Sequence, residues 1–128
     1  MKYIITSVIS FLLFWSSVFT VPFEEVESAF AAGDAEKIMT LGTTKVLISI
    51  DGKEGVYSKS QGTQVLTNFF KANPIKSFQF NFKGKEEVEN SYAVGRYQSN
   101  KDYRVSLKFK KEGEDHLIEA ITITAFSR

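Results

Sequence analysis

Residues 102–111 read Asp-Tyr-Arg-Val-Ser-Leu-Lys-Phe-Lys-Lys. Tyr103, Val105, Leu107 and Phe109 alternate with Arg104, Ser106, Lys108 and Lys110. That period of two belongs to a strand with one buried face, because successive side chains leave opposite sides of the backbone. The same period recurs over 77–86, where Phe78, Phe80 and Phe82 are expected on one side and Gln79, Asn81 and Lys83 on the other. Strands are also expected over 92–99 and 116–126. Glu89-Asn90-Ser91, Ser99-Asn100-Lys101-Asp102 and Glu112-Gly113-Glu114-Asp115 supply the turns. Successive strands joined by short turns pair antiparallel, and their apolar face needs a cover.

The cover comes from the amino-terminal half. Phe23, Val26 and Phe30 recur at helical spacing over 23–32. Pro22 and the early Glu residues suit the start of that helix, and Gly33 suits its end. Asp34 is placed to cap a second short helix over 35–41, which stops at Gly42. Lys45 to Ile50 is a β-branched strand, Asp51-Gly52 a turn, and Val56-Tyr57 a short partner strand. A third helix over 60–73 buries Val65, Leu66, Phe69 and Phe70. Gly62 weakens it and Pro74 ends it. One-sided helices followed by a one-sided sheet predict an α+β fold, a curved antiparallel sheet wrapped around the amino-terminal helices. The length of the stretch 21–128 fits a single domain.

Residues 1–20 carry a different signature. Met1-Lys2 precedes an almost wholly apolar run from Tyr3 to Phe14, and the apolar character continues to Val21. A basic start followed by such a run is the pattern of a secretory signal peptide. Val18-Phe19-Thr20 places the expected cut near Thr20, so the mature domain is expected in the periplasm or outside the cell. The alternative is an uncleaved membrane anchor, since the run approaches the roughly 20 residues a spanning helix needs. The chain has no Cys, which excludes both disulfides and a lipid-modified cysteine. Cleavage removes Lys2 and takes the net charge from +1 to 0. A neutral domain gives no footing for nucleic acid or for a strongly anionic partner.

Few residues offer chemistry. With no Cys and a single His, neither a nucleophile–base pair nor a zinc site is expected. His116 stands beside a turn and is expected to be exposed. Asp51 and Glu54 flank a turn, but their spacing is not that of a calcium loop. No cofactor and no metal are expected. Glu119 shares a strand face with Leu117, Ile121 and Ile123, which makes it the one acid with an argument for burial. The competing reading puts Glu119 outside, with Ile118, Ala120 and Thr122 pointing in. The tyrosines stand out more. Tyr92, Tyr97 and Tyr103 fall on neighbouring strands with Arg96 and Arg104 close by, a set suited to an anionic ligand or a partner chain. The alternative is that Tyr97 and Tyr103 fill the core and the arginines are solvated.

Taken in order, Val26…Ala29-Phe30…Gly33-Asp34…Ile38, Val46-Leu47-Ile48, Val65-Leu66…Phe69-Phe70 and the strands Phe78–Phe82, Tyr92–Tyr97 and Tyr103–Phe109 resemble the nuclear transport factor 2-like (cystatin-like) superfamily. The resemblance spans nearly all of 22–128. It is especially similar to a small exported bacterial branch with no assigned function. It implies a cone closed by a bent sheet and a helix, often with an internal pocket, and frequent dimers through the outer sheet face. Some relatives are isomerases or dehydratases and others only bind, so fold alone does not assign activity. The expected function is that of an exported non-catalytic domain that binds a small ligand or an envelope protein, with a homodimer as the expected assembly. The alternative is an isomerase- or dehydratase-type enzyme with a pocket carboxylate facing a tyrosine. Filling of the cone by phenylalanine rings counts against that alternative.

Overall fold

The computed structural model describes residues 21–86 and 88–126, so the expected export segment over 1–20 lies outside the described residues. Helix α1 (Phe23–Ala32) buries Phe23, Val26, Ala29 and Phe30, as their spacing predicts. Gly33 ends it at φ 64°, a left-handed conformation that costs glycine little. The Asp34 carboxylate then accepts a hydrogen bond of 3.0 Å from the Lys37 amide and starts α2 (Ala35–Thr40). Helix α3 (Lys59–Ala72) begins one residue before Ser60, because Ser58 and Gln61 form a reciprocal capping box. Gly62 lowers helix propensity, but it lies where α3 meets α2. A β-carbon there would stand 2.3 Å from Met39 Cε.

Six strands follow the chain as β1 (Gly42–Ile50), β2 (Lys53–Ser58), β3 (Ser77–Lys83), β4 (Asn90–Gln98), β5 (Asp102–Glu112) and β6 (Asp115–Ala125). They form one sheet in the order β2-β1-β6-β5-β4-β3. The architecture is α+β, a curved sheet packed on helices. Strands β1 and β6 run parallel, which makes the sheet mixed, and the other neighbours are antiparallel. Asp51 and Gly52 take φ of 47° and 87°, the geometry of a tight two-residue hairpin turn. Strand β3 is an edge. Its Phe80 amide donates to the Glu27 carboxylate of α1 at 2.8 Å, which blunts the edge against pairing with another chain.

Two bulges decide which side chains face the helices. Asn81 has no partner between the pairs Phe80↔Gly95 and Phe82↔Val94. The extra residue reverses the alternation. Phe78 and Phe80 therefore face inward, whereas Phe82 turns to the outer face and is 55% exposed. This corrects the expectation that the three phenylalanines share one side. Glu119 is likewise inserted between Phe109↔Ile118 and Lys108↔Ala120. Ile118, Ile121 and Ile123 are all buried as a result, while Ala120 and Thr122 share the outer face with Lys108 and Ser106. Neither simple alternation foreseen for this strand survives the bulge.

The space between helices and sheet is filled by rings. Phe109 meets Phe23, which meets Phe80, then Phe78, then Phe30, with centroids 4.9–6.2 Å apart. Phe30 continues to Phe70, and Phe70 and Phe69 to Tyr97 and Tyr103. Edge-to-face contacts dominate, the arrangement that the ring quadrupole favours. Phe30, Val26, Ile38, Leu66 and Tyr97 have no exposed surface.

Candidate functional site

The five residues singled out in the sequence separate onto the two sides of the sheet. The register Tyr97↔Tyr103 puts these two tyrosines side by side on the inner face, where both are buried. Arg96↔Arg104 are paired on the outer face, and Tyr92 lies on that face with Lys108. The structure therefore brings Arg96 and Arg104 together and leaves Tyr97 and Tyr103 behind the backbone from them. Strand alternation is the physical reason, since neighbours in sequence point opposite ways.

On the inner side the tyrosines fasten α3 to the sheet. The Tyr97 hydroxyl donates to the Asn73 carbonyl, and the Tyr103 hydroxyl donates to Asn73 Oδ1 at 2.8 Å. Asn73 Nδ2 in turn donates to the Phe69 carbonyl at 3.1 Å. The Ser99 hydroxyl closes the connection by donating to the Pro74 carbonyl at 2.6 Å. Asn73 escaped notice in the sequence, where it reads only as the end of a helix before Pro74. Burial pushes the Tyr97 phenol up to about 12, and the neighbouring Tyr103 adds to the rise. Burial also raises Tyr103, followed by the negative charge of Asp51.

This arrangement has a pH signature. A phenol raised from 10.0 to about 12 favours the fold in its neutral form. Its contribution is complete below about pH 10 and is lost as pH rises through about 12. Thermal melts at about pH 8 and about pH 11 are expected to show this alkaline loss of stability, and Tyr97→Phe to reduce it. Equal losses in the variant and the parent would assign the effect elsewhere.

The acids and the histidine do not make an active centre. Glu119 lies at the bulge with its carboxylate 3.0 Å from Lys108 Nζ, and that contact raises the lysine. It faces neither tyrosine of the inner pair. Asp51 accepts a hydrogen bond of 2.9 Å from the Ala125 amide, so its carboxylate secures the end of β6. His116 was expected to be exposed, and this is corrected: it is 2% exposed. Its Nε2 donates to the Val88 carbonyl, between β3 and β4, at 2.7 Å. Among the described residues its buried Nδ1 has no hydrogen-bond partner, so none of them sets a hydroxyl there as a nucleophile. Among the described residues, no Asp or Glu is buried and no cluster of three His, Asp or Glu is placed to hold a metal.

The outer face of the sheet is where groups suited to recognition converge. Cross-strand pairing lines up Val56, Leu47, Ala120, Lys108 and Tyr92 in one row. The next row runs Glu54, Ser49, Thr122, Ser106, Val94 and Phe82. Phe82 is 55% exposed, Tyr92 50% and Val56 62%. A third row carries Gln79, Arg96, Arg104 and Thr124. Phe82 joins the second row only because of the Asn81 bulge, which no sequence period reveals. Three grooves open around the surface of α1 and the β3 edge.

The family pattern described as "Domain of unknown function (DUF4783)" matches residues 23–124. No curated protein matches the chain. A DUF4783 family protein from Bacteroides ovatus is similar at 26% identity, covering 86% of this chain and 99% of its own, with a TM-score of 0.79. One from Bacteroides uniformis is similar at 27% identity, covering 84% and 99%, with a TM-score of 0.78. More distant neighbours share the cystatin-like and nuclear transport factor 2-like fold. Among them is a domain of unknown function with a cystatin-like fold from Nostoc punctiforme, at 11% identity, covering 82% and 73%, with a TM-score of 0.63. A sheet-on-helices fold, its register and a match over nearly the whole domain agree, and the chain belongs to the DUF4783 family.

Proposed function

We propose that this is an exported, non-catalytic binding domain whose outer sheet face takes a protein partner, namely a second copy of the chain. The observation that carries the reading is the half-exposed pair Phe82 and Tyr92, set beside Val94 on a sheet whose other face is already covered. Large exposed aromatics grouped on one face are characteristic of an interface. The same face holds Lys108 and Glu119 as an ion pair, so it carries both signs of charge at its middle. A surface of that kind is complementary to itself, as a two-fold interface requires. A small ligand inside the cone is the weaker reading, because aromatic rings occupy that space. The enzyme reading lacks its buried carboxylate among the described residues. Export rests on the basic start and apolar run of residues 1–20.

Sedimentation equilibrium on residues 21–128 tests the assembly. The core residues from Val21 to Ile123 all lie within that stretch. Twice the chain mass is expected, and monomer mass up to about 100 μM would overturn the proposal. Export is tested separately, by expressing the full chain and reading the mature amino terminus by mass spectrometry. A start near Val21 in the soluble exported fraction is expected, and an intact Met1 in membranes would contradict it.

A further inference from the structure

The row Gln79, Arg96, Arg104, Thr124 poses an electrostatic question. Arg96 and Arg104 are directly opposite each other on adjacent antiparallel strands, a placement in which like charges repel. Two things hold them there. Asp102 forms an ion pair with Arg96. Phe126 presents its ring to both guanidinium carbons, each 5.7 Å from the ring centroid. The ring itself is anchored, since the Phe126 amide donates to the Asp102 carbonyl at 3.0 Å. One charge is thus matched by Asp102, and among the described residues no carboxylate pairs with Arg104. A guanidinium fork is left at the surface, pre-positioned on an aromatic ring, with the polar side chains of Gln79 and Thr124 in the same row.

We propose that Arg104, held beside Arg96 on the Phe126 ring, is a binding site for an oxyanion that offers two oxygens to the fork. A carboxylate of an acidic peptide is the occupant the site favours, because it would repeat at Arg104 the pairing that Asp102 makes at Arg96. Asp102 meets Arg96 through one oxygen, and a carboxylate that set both oxygens on the Arg104 fork would pair more strongly than with a point charge and with geometric selectivity. The site lies two rows along β4 from Tyr92 and does not depend on self-association of the domain.

The test is the guanidinium Nε–H resonance of Arg104, followed by nitrogen-15 NMR during titration with a Glu-rich peptide and, separately, with inorganic phosphate. Saturable shifts of Arg104 and of the Phe126 ring are expected with the peptide. Saturation by phosphate instead would keep the oxyanion site and identify phosphate as the better source. Arg104→Lys retains the charge and removes the fork, and is expected to weaken binding about tenfold. Phe126→Ala, on the exposed end of the sheet, is expected to weaken it a few-fold. No saturable shift with either probe, or equal binding by Arg104→Lys, would overturn the proposal. The readout follows one side chain, so failure here is distinguishable from failure of the pairing face.

Discussion

Phe30→Ala is expected to remove about 3–5 kcal/mol of stability, the range for deleting a fully buried ring. Phe30 has no exposed surface and sits at the junction of the aromatic chain, stacked on Phe78 at 4.9 Å and edge-on to Phe70 at 6.2 Å. Its loss leaves a cavity between α1 and the sheet that neither can readily close, since α1 is tied to the sheet on either side of its first turns. Phe23 packs against Phe109 of β5, and the Glu27 carboxylate holds the Phe80 amide of β3. Domains of this size have total stabilities of roughly 5–15 kcal/mol, so the variant is expected to be partly unfolded at 37 °C. Urea unfolding followed by circular dichroism measures the loss. A cost under about 1 kcal/mol would mean that the cone is loosely filled and has room for a ligand.

Tyr92→Glu is expected to convert the associated form to monomer without disturbing the fold. Tyr92 is half exposed and stands opposite Lys108 on the outer face, so the substitution removes no buried packing. It places a charge where the partner's aromatic and apolar groups would have to desolvate it. Truncating an aromatic anchor at the centre of an interface commonly costs 2 kcal/mol or more, about thirtyfold in affinity, and an added charge deepens the loss. Sedimentation equilibrium reads the change in mass, and circular dichroism confirms that the domain is intact. Phe82→Glu is the independent second substitution, because Phe82 lies on the neighbouring strand and is exposed by the Asn81 bulge.

Much of the architecture was legible in the sequence because local signals and global packing agreed. The stripe Phe23, Val26, Phe30 and the stops at Gly33 and Pro74 placed the helices. The alternation through Tyr103, Val105, Leu107 and Phe109 placed the central strand with the correct face inward. Three things were hidden. A single inserted residue leaves the local alternation of 77–86 looking regular, so the turn of Phe82 to the outer face was invisible, as was the shift at Glu119. The hydrogen bond that holds the buried His116 is made to the Val88 carbonyl, 28 residues away in the chain. The parallel pairing of β1 with β6 joins strands far apart in the chain, and nothing local encodes it. The separation of Tyr103 from Arg104 was legible all along, since the alternation that buries Tyr103 sends Arg104 to the other side. Sequence proximity of aromatic and basic residues had suggested one patch where strand geometry makes two.

The outer-face interface is tested most directly by mixing isotopically labelled and unlabelled copies of residues 21–128 and recording only contacts between different chains. Self-association through the sheet predicts intermolecular contacts that involve Tyr92, Phe82 and Val94. Intermolecular contacts confined to α1 or α3, or none at concentrations where the mass is doubled, would contradict it.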